Sequence, residues 1–290
     1  MQRIQPAALL QVMHPITWFA PMWAFACGIV STGESVLSHG LVLVGGIVLA
    51  GPLVCGTSQV VNDWFDRHVD AINEPDRPIP SGRIPGRWGL YIALIMTVAS
   101  LVLAWVLGIW VFWAAVVGLA LAWAYSMPPF RLKLNGWWGN GAVGLSYETL
   151  PWFTAAALMT GDLPSLPIIA LALLYGIGAH GIMTLNDFKA IEGDSQMGVR
   201  TLPVQLGAPR AARLACWVMA VPQAGAALLL LAWGFPWHAL IVAGLLVAQL
   251  GLMARFLRDP RQYAPWYNAT GTTLSVLGMM VGASALGYGA

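Results

Sequence analysis

The chain has 290 residues, of which 58% are hydrophobic and only 9% are charged, and its net charge is +2. Apolar runs of about twenty residues recur along it, the length that an α-helix needs to cross a bilayer. This composition excludes a soluble globular domain. Because each run must satisfy its own backbone hydrogen bonds in lipid, we expect an all-α membrane bundle and no β-barrel. We interpret 1–290 as a single integral-membrane domain without a removable signal peptide and expect no nucleic-acid partner.

Nine apolar segments are predicted to span the membrane. They cover residues 15–31, 41–65, 89–107, 109–126, 137–159, 165–186, 211–233, 236–257 and 269–288. If alternate connections lie on opposite sides, one side receives all fourteen basic residues: Arg3, Arg67, Arg77, Arg83, Arg87, Arg131, Lys133, Lys189, Arg200, Arg210, Arg213, Arg255, Arg258 and Arg261. The opposite connections carry Glu34 and Asp162 but no Lys or Arg. The positive-inside rule then predicts a cytoplasmic N-terminus and an external C-terminus.

The second predicted span ends in an acidic stretch. Its oxygen-bearing side chains are Asn62, Asp63, Asp66 and Asp70. At about 100° per residue, all four lie on one face of a helix. Carboxylates this close repel one another, and at the edge of a membrane a cation must compensate them. Because hard divalent cations prefer oxygen ligands, the stretch predicts a divalent cation site at the cytoplasmic rim.

A second acidic stretch runs from Asn186 to Asp194, again at the cytoplasmic end of an apolar span. Downstream of the first stretch, RPIP at 77–80 is echoed by RTLP at 200–203. An even number of helices separates the two copies, so they form a parallel internal repeat. Asp187 and Asp194 are nearly eclipsed on a helix. We therefore expect the two acidic motifs to face each other across a central cavity that opens at the cytoplasmic rim.

Basic side chains flank both acidic motifs. They are Arg77, Arg83, Arg131, Lys133, Lys189 and Arg200. Carboxylates bind phosphate through a metal, and guanidinium or ammonium groups bind it directly, so the combination suits a diphosphate. In an apolar bundle it predicts a substrate with a charged head and a long hydrocarbon tail, such as a prenyl diphosphate. Loss of the diphosphate leaves an allylic carbocation, which a dry apolar pocket protects. The alternative for each basic residue taken singly is a solvated cytoplasmic rim.

Several motifs resemble the UbiA superfamily of intramembrane prenyltransferases, and the similarity extends over almost the whole chain. They are the first acidic stretch, DRPIPSG at 76–82 and YSMPP at 125–129. Within that superfamily, residues 125–140, 146–152 and 186–194 are most similar to chlorophyll and bacteriochlorophyll synthases. The resemblance implies that a geranylgeranyl or phytyl group is transferred from its diphosphate to the propionate of a bacteriochlorophyllide or chlorophyllide. This would be the last step of bacteriochlorophyll biosynthesis, in the cytoplasmic membrane.

The resemblance also implies roles for individual residues. Asn62, Asp66 and Asp70 would bind the diphosphate through Mg²⁺, with Asp187 and Asp194 supporting from the second repeat. The substrate-binding candidates are Asp63, Arg77, Arg83, Tyr125, Arg131, Lys133, Asn186, Lys189, Arg200, Glu148 and His180.

Two ionisable residues inside predicted spans have alternative interpretations. Glu148 orients the acceptor or acts as a base, or it is a neutral hydrogen-bonded brace between helices. His180 binds the central Mg of the macrocycle, or it is a satisfied core histidine. Two other functions stay open. The same fold could serve a quinone precursor or haem as acceptor, or the chain could be a cation-coupled transporter, although a transporter is expected to place its acidic site near the membrane midplane.

Overall fold

The computed structural model describes residues 5–289, and this range folds into α-helices joined by short turns. The helices are α1 (Pro6–Val12), α2 (Phe19–Val30), α3 (Gly40–Val48), α4 (Gly56–Asn73), α5 (Trp88–Leu107), α6 (Ile109–Ser126), α7 (Gly136–Gly144), α8 (Leu150–Thr160), α9 (Leu166–Asn186), α10 (Ile191–Gln196), α11 (Leu202–Leu206), α12 (Ala208–Ala232), α13 (Pro236–Phe256) and α14 (Pro260–Tyr288). Four 3₁₀ turns cover Pro15–Trp18, Val36–His39, Leu132–Leu134 and Asp187–Lys189. Arg3, assigned above to the cytoplasmic side, lies outside the described residues.

All nine segments predicted to span the membrane are helical. Among residues 5–289, seven helical stretches are long and apolar enough to cross a bilayer: Val36–Asn73, Trp88–Leu107, Ile109–Ser126, Leu166–Lys189, Ala208–Ala232, Pro236–Phe256 and Pro260–Tyr288. The other two predicted spans correspond to the shorter apolar helix Pro15–Val30 and to the continuous helix 136–160. The all-α membrane bundle is therefore confirmed, with about seven helices that meet these criteria.

Two long helices contain a π-helical segment. The first, Leu49–Cys55, joins α3 to α4 and contains Pro52, whose missing N–H removes one bond of the helical ladder. The second, Leu145–Thr149, joins α7 to α8 and precedes Pro151, which for the same reason cannot bond the carbonyl of the preceding turn. Both segments lie beside the interior cavity described below.

Close contacts join the two halves of the bundle. The Trp23 indole on α2 donates a hydrogen bond to the Val276 carbonyl on α14 (3.0 Å). Inside, Trp152 of α8 stacks on Tyr175 of α9, with ring centroids 6.0 Å apart. Gly144 brings α7 against α9, because a Cβ at this position would collide with the Gly176 carbonyl oxygen. The first and last long helices therefore close the bundle into a ring.

Helix α4 is contacted by α1 and by the loop after α6. Ala8 and Val12 of α1 pack against Val60 of α4 and Ile84 of the following loop. The loop after α6 is joined to the segment before α11 by backbone hydrogen bonds, from Gly136 N to Arg200 O and from Arg200 N to Leu134 O (2.9 Å each). The loop after α6 and the segment before α11 carry three of the six basic residues predicted to lie beside the acidic motifs: Arg131, Lys133 and Arg200.

Candidate active site

Asp66 and Asp70 of the first motif are each paired with a basic side chain from a loop. Lys133 Nζ lies 2.5 Å from one oxygen of Asp66, and Arg131 Nη2 lies 3.9 Å from the other. Arg77 Nη1 donates to Asp70 over 3.2 Å, and its Nε donates to Glu74. The amphipathic end of α4 places Asp66 and Asp70 one turn apart, so the two pairs lie side by side. The structure therefore brings acidic and basic candidates together as the sequence predicted.

Asp63 is the most deeply buried carboxylate of the motif. Its side chain is 1% exposed, and both of its oxygens accept hydrogen bonds. Arg77 Nη1 donates to Oδ1 over 3.0 Å, and His14 Nε2 donates to Oδ2 over 3.1 Å. Ionised carboxylates survive burial only with such partners. Asp63 was predicted to bind substrate, whereas the structure occupies both of its oxygens with protein groups, one of them from a histidine that the sequence did not indicate.

The basic partners are themselves partly withdrawn from water. The Lys133 side chain is 14% exposed, and this burial lowers its pKa against the opposing attraction of the Asp66 carboxylate. Burial also opposes the charged form of Arg77, but attraction to Asp63, Glu74 and Asp70 raises its pKa above the ordinary value. Both cations are therefore held in place mainly by the acidic motif, close to where an anionic ligand would enter.

An apolar cavity of about 280 Å³ begins beside the first motif and extends into the bundle. Its lining comes from α2, the π-helical segment before α4, α4 itself, α6, the 142–154 helix and α9: Pro21, Leu49, Ala50, Val54, Cys55, Ser58, Gln59, Asn62, Ala114, Ala115, Gly118, Leu121, Ala122, Tyr125, Ala142, Val143, Ser146, Tyr147, Leu150, Pro151, Thr154 and Met183. We call this space the donor cavity. Small side chains on α6 create it, and its polar groups cluster toward α4.

Polar residues mark the end of the donor cavity that lies at α4. Asn62 donates to the Ser126 hydroxyl (3.0 Å), and Gln59, one turn earlier on the same face, donates to the Tyr147 hydroxyl (2.9 Å). Met183, one turn before Asp187 on α9, lines the cavity together with Asn62 and Tyr125. The helix end that carries the second motif therefore borders the same cavity as the first motif. Gln59 was not among the predicted site residues, although its spacing of three from Asn62 is a signal for a shared face.

The second motif is engaged differently from the first. Asn140 Nδ2 donates to the Thr184 hydroxyl (3.2 Å) and lies 3.5 Å from Asp187 Oδ2. Asn186 accepts a hydrogen bond from Asn268 of α14 over 2.7 Å. Asp194 lies beyond the 3₁₀ turn, in α10, where partial burial raises the pKa of its carboxyl. The turn at 187–189 thus interrupts the continuous helix that the predicted eclipsing of Asp187 and Asp194 assumed.

Several predicted substrate-binding residues lie elsewhere. Arg83 is bound to Gln11, Ser81 and the Asp76 carbonyl. Arg200 contributes the backbone bridge to the loop after α6, and Lys189 ends the 3₁₀ turn after α9.

Glu148 and His180 lie outside the lining of the donor cavity. Glu148 is 6% exposed, and its Oε2 has no hydrogen-bond partner within residues 5–289. His180 lines a separate cavity of about 300 Å³ with Trp137 and Val218, between α7, α9 and α12. The tight contact of α7 with α9 at Gly144 lies between that cavity and the donor cavity.

The donor set of the motifs suits Mg²⁺, because it consists of carboxylate and carboxamide oxygens. In the described part of the chain, no three His, Cys, Asp or Glu side chains are gathered closely enough to hold one ion. Asp66 and Asp70 instead contact Lys133 and Arg77. A metal ion bound by these carboxylates would therefore lie beside the two basic groups and share the carboxylate oxygens with them.

Known proteins are similar to this chain over most of its length. The UbiA prenyltransferase family profile matches residues 16–281. The bacteriochlorophyll synthase 33 kDa chain of Cereibacter sphaeroides is 61% identical over 97% of this chain and 93% of its own length. The corresponding 33 kDa chain of Rhodobacter capsulatus is 55% identical, covering 97% and 94%. A UbiA homologue from Archaeoglobus fulgidus, solved with GPP and Mg²⁺, superposes with a TM-score of 0.71 at 18% identity, covering 96% of this chain and 99% of its own.

The chain therefore belongs to the UbiA prenyltransferase family. Its fold is the UbiA fold, as the structural neighbour shows at low sequence identity. The predicted enzyme class is also confirmed, since near full-length relatives above 50% identity are bacteriochlorophyll synthases.

Proposed function

We propose that the chain transfers a geranylgeranyl or phytyl group from the prenyl diphosphate to the propionate carboxylate of bacteriochlorophyllide or chlorophyllide. The observation that carries this proposal is the donor cavity. It is an apolar space inside a membrane bundle, and it ends at a cluster of paired acidic and basic side chains. A molecule with a long hydrocarbon tail and a diphosphate head matches both parts of this arrangement.

The tail would lie along α6, where Ala114, Ala115 and Gly118 leave room between the helices. Gly118 lies eight residues from Ser126, or about 12 Å along the helix axis. Since Ser126 bonds to Asn62, the head group would lie near this end of α6. The cavity therefore has the depth to hold several isoprene units away from water.

The head group would be held by the loops and by Mg²⁺. Asn62, Asp66 and Asp70 would supply metal ligands, with Asp187 and Asp194 supporting from the second motif. Bound Mg²⁺ neutralises the diphosphate and makes it a better leaving group. Lys133 and Arg131 would turn from Asp66 to the phosphate oxygens, whereas Arg77 would keep its carboxylate contacts and donate from Nη2.

In the reaction, the bond between the allylic carbon and the diphosphate oxygen breaks, and the diphosphate leaves with the electron pair. A propionate oxygen then bonds to that carbon, giving an ester and free diphosphate. The acceptor is already an anion, so no strong general base is required. The face of the Tyr125 ring, at the polar end of the cavity, would stabilise the positive charge on the allylic fragment.

The basic loops and the charge partition support an orientation with the site facing the cytoplasm. We propose nine spans, with the seven strongly apolar stretches joined by Pro15–Val30 and helix 136–160. The N-terminus would be cytoplasmic and the C-terminus external, in the cytoplasmic membrane. The two motifs at the ends of α4 and α9 would derive from a parallel repeat within a single domain, 1–290.

Substitution of the two rim carboxylates tests the proposal. Asp66→Ala and Asp70→Ala are expected to abolish ester formation, measured as esterified pigment from purified protein with saturating Mg²⁺, bacteriochlorophyllide and geranylgeranyl diphosphate. Asp162→Ala, on a connection at the opposite end of the bundle, is the matched control and should retain activity. Full activity in either rim variant would contradict the assignment.

A further inference from the structure

The N-terminal segment reaches the acidic motif through one histidine. His14 lies between α1 and the turn Pro15–Trp18, with a backbone φ of 45° in the left-handed region. This conformation is unfavourable for a residue with a Cβ, and it turns the imidazole toward α4. Its Nε2 donates to Asp63 Oδ2 at 3.1 Å. Because Asp63 is buried and its carboxylate is an acceptor only, His14 must supply the proton of this bond.

The segment around His14 is fastened at further points. Val12 is fully buried against Val60 and Ile84. Gln11 accepts a hydrogen bond from Arg83 over 2.6 Å, and so connects α1 to the loop that also carries Arg77. The contacts of Gln11 and Val12 therefore hold the segment that leads into His14 and favour its bond to Asp63.

We propose that His14 and Asp63 are positioning residues that hold Arg77 for the diphosphate. A free carboxylate and a guanidinium tend to pair through two parallel hydrogen bonds. By occupying Oδ2, His14 leaves Asp63 only Oδ1 for Arg77, so that Nη1 is shared between Asp63 and Asp70. Nε is engaged by Glu74, and among residues 5–289 no acceptor is bound to Nη2. Three contacts with carboxylates thus fix the orientation of the guanidinium, and Nη2 is free to donate to a phosphate oxygen.

Without His14, Arg77 would pair with Asp63 through both oxygens and turn away from Asp70. The loss would appear in binding of the diphosphate rather than in the chemical step, since His14 contacts neither substrate. This inference rests on the proposed function for the identity of the ligand. It differs from that function in assigning a role to a residue 49 positions before Asp63 that is outside both acidic motifs.

The test compares His14→Ala and His14→Gln with the matched control His39→Gln, a partly exposed histidine in the turn Val36–His39. Gln keeps an amide donor at a reach similar to that of Nε2. Binding of inorganic diphosphate with Mg²⁺ to the purified full chain is measured by calorimetry. KM for geranylgeranyl diphosphate, kcat and the unfolding temperature are measured in parallel.

His14→Ala is expected to weaken diphosphate binding about tenfold and to raise KM similarly, with kcat unchanged. His14→Gln should restore most of the affinity, and the control should match the wild type. Unchanged affinity in His14→Ala overturns the inference, as does a His14→Gln variant that regains the wild-type unfolding temperature without regaining affinity. If the wild type forms no ester but binds diphosphate with this His14 dependence, the proposed function fails and the inference stands.

Discussion

Filling the donor cavity at Gly118 should change the preferred length of the prenyl tail. A Cβ at this position would lie 3.5 Å from Val54 Cγ1 and 3.7 Å from Leu150 Cδ1, which are ordinary contacts. Gly118→Ala should therefore be tolerated. Gly118→Phe would place a ring in the cavity about 12 Å from the polar end, across the path of a long tail. A shorter donor would end before the ring.

The expected change in donor selectivity depends on the environment into which the excluded part of the tail moves. In water, each methylene forced out of the cavity would cost about 0.8 kcal/mol. Here the tail stays in lipid, which is as apolar as the cavity, so this cost does not apply. Forcing the tail past the ring is instead an overpacking problem, worth about 1–3 kcal/mol. We therefore expect selectivity for geranyl over geranylgeranyl diphosphate to rise by about 5- to 150-fold.

The assay supplies both donors at equal concentration with bacteriochlorophyllide and measures the ratio of the two esters by mass. Val117→Phe is the control, because Val117 is the neighbouring α6 residue and is 43% exposed on the outer face of the helix. Its product ratio should equal that of the wild type. An unchanged ratio in Gly118→Phe, in protein that unfolds at the wild-type temperature, would refute the placement of the tail.

Three further results are expected. Lys133→Ala should lower ester formation by about 10- to 100-fold at subsaturating prenyl diphosphate, because a charge-assisted contact worth about 1.5–3 kcal/mol is lost. Lys133→Arg should retain more activity in the same pigment assay. Equal losses in the two variants would contradict a charge role for Lys133. Chelation with EDTA should stop ester formation and added Mg²⁺ should restore it, whereas full activity in EDTA would exclude a metal requirement. Gly144→Ala should destabilise the bundle by about 1–3 kcal/mol, because the new Cβ meets the rigid Gly176 backbone. In a thermal unfolding series Gly178→Ala is its control, since in the described part of the chain nothing lies within 4 Å of a Cβ there.

The helices were predictable because lipid leaves an apolar run no other way to satisfy its backbone. The residues at which the helices begin and end were less predictable. The last span was predicted from residue 269, whereas α14 begins at Pro260. Hydropathy indicates where the chain enters lipid. The first turns of α14 are polar, so they belong to the helix although they lie outside the apolar segment. The π-helical segments were also missed, although the prolines beside them, Pro52 and Pro151, are the physical cause.

Some contacts of the candidate site were also predictable from the sequence and others were not. The pairing of Asp66 with Lys133 was predictable in kind, since opposite charges at one membrane face must neutralise each other. The bond from His14 to Asp63 was not, because it depends on how α1 packs on α4 and no local pattern records that. Glu148 and His180 were singled out because they are ionisable in apolar spans. The surroundings of each of them depend on how α7 packs against α9, and only the three-dimensional structure shows this packing.

The contact of α14 with α2 has a consequence for biogenesis. Ribosomes deliver the helices in order, so α2 inserts first and waits for the helix that will accept its Trp23 indole bond. Asn186 on α9 likewise waits for Asn268. Without α14, the Trp23 indole and the Asn186 carboxamide would both lose these partners. Packing of α14 on α2 and α9 is therefore a late step of assembly, because α14 follows the other described helices in the chain.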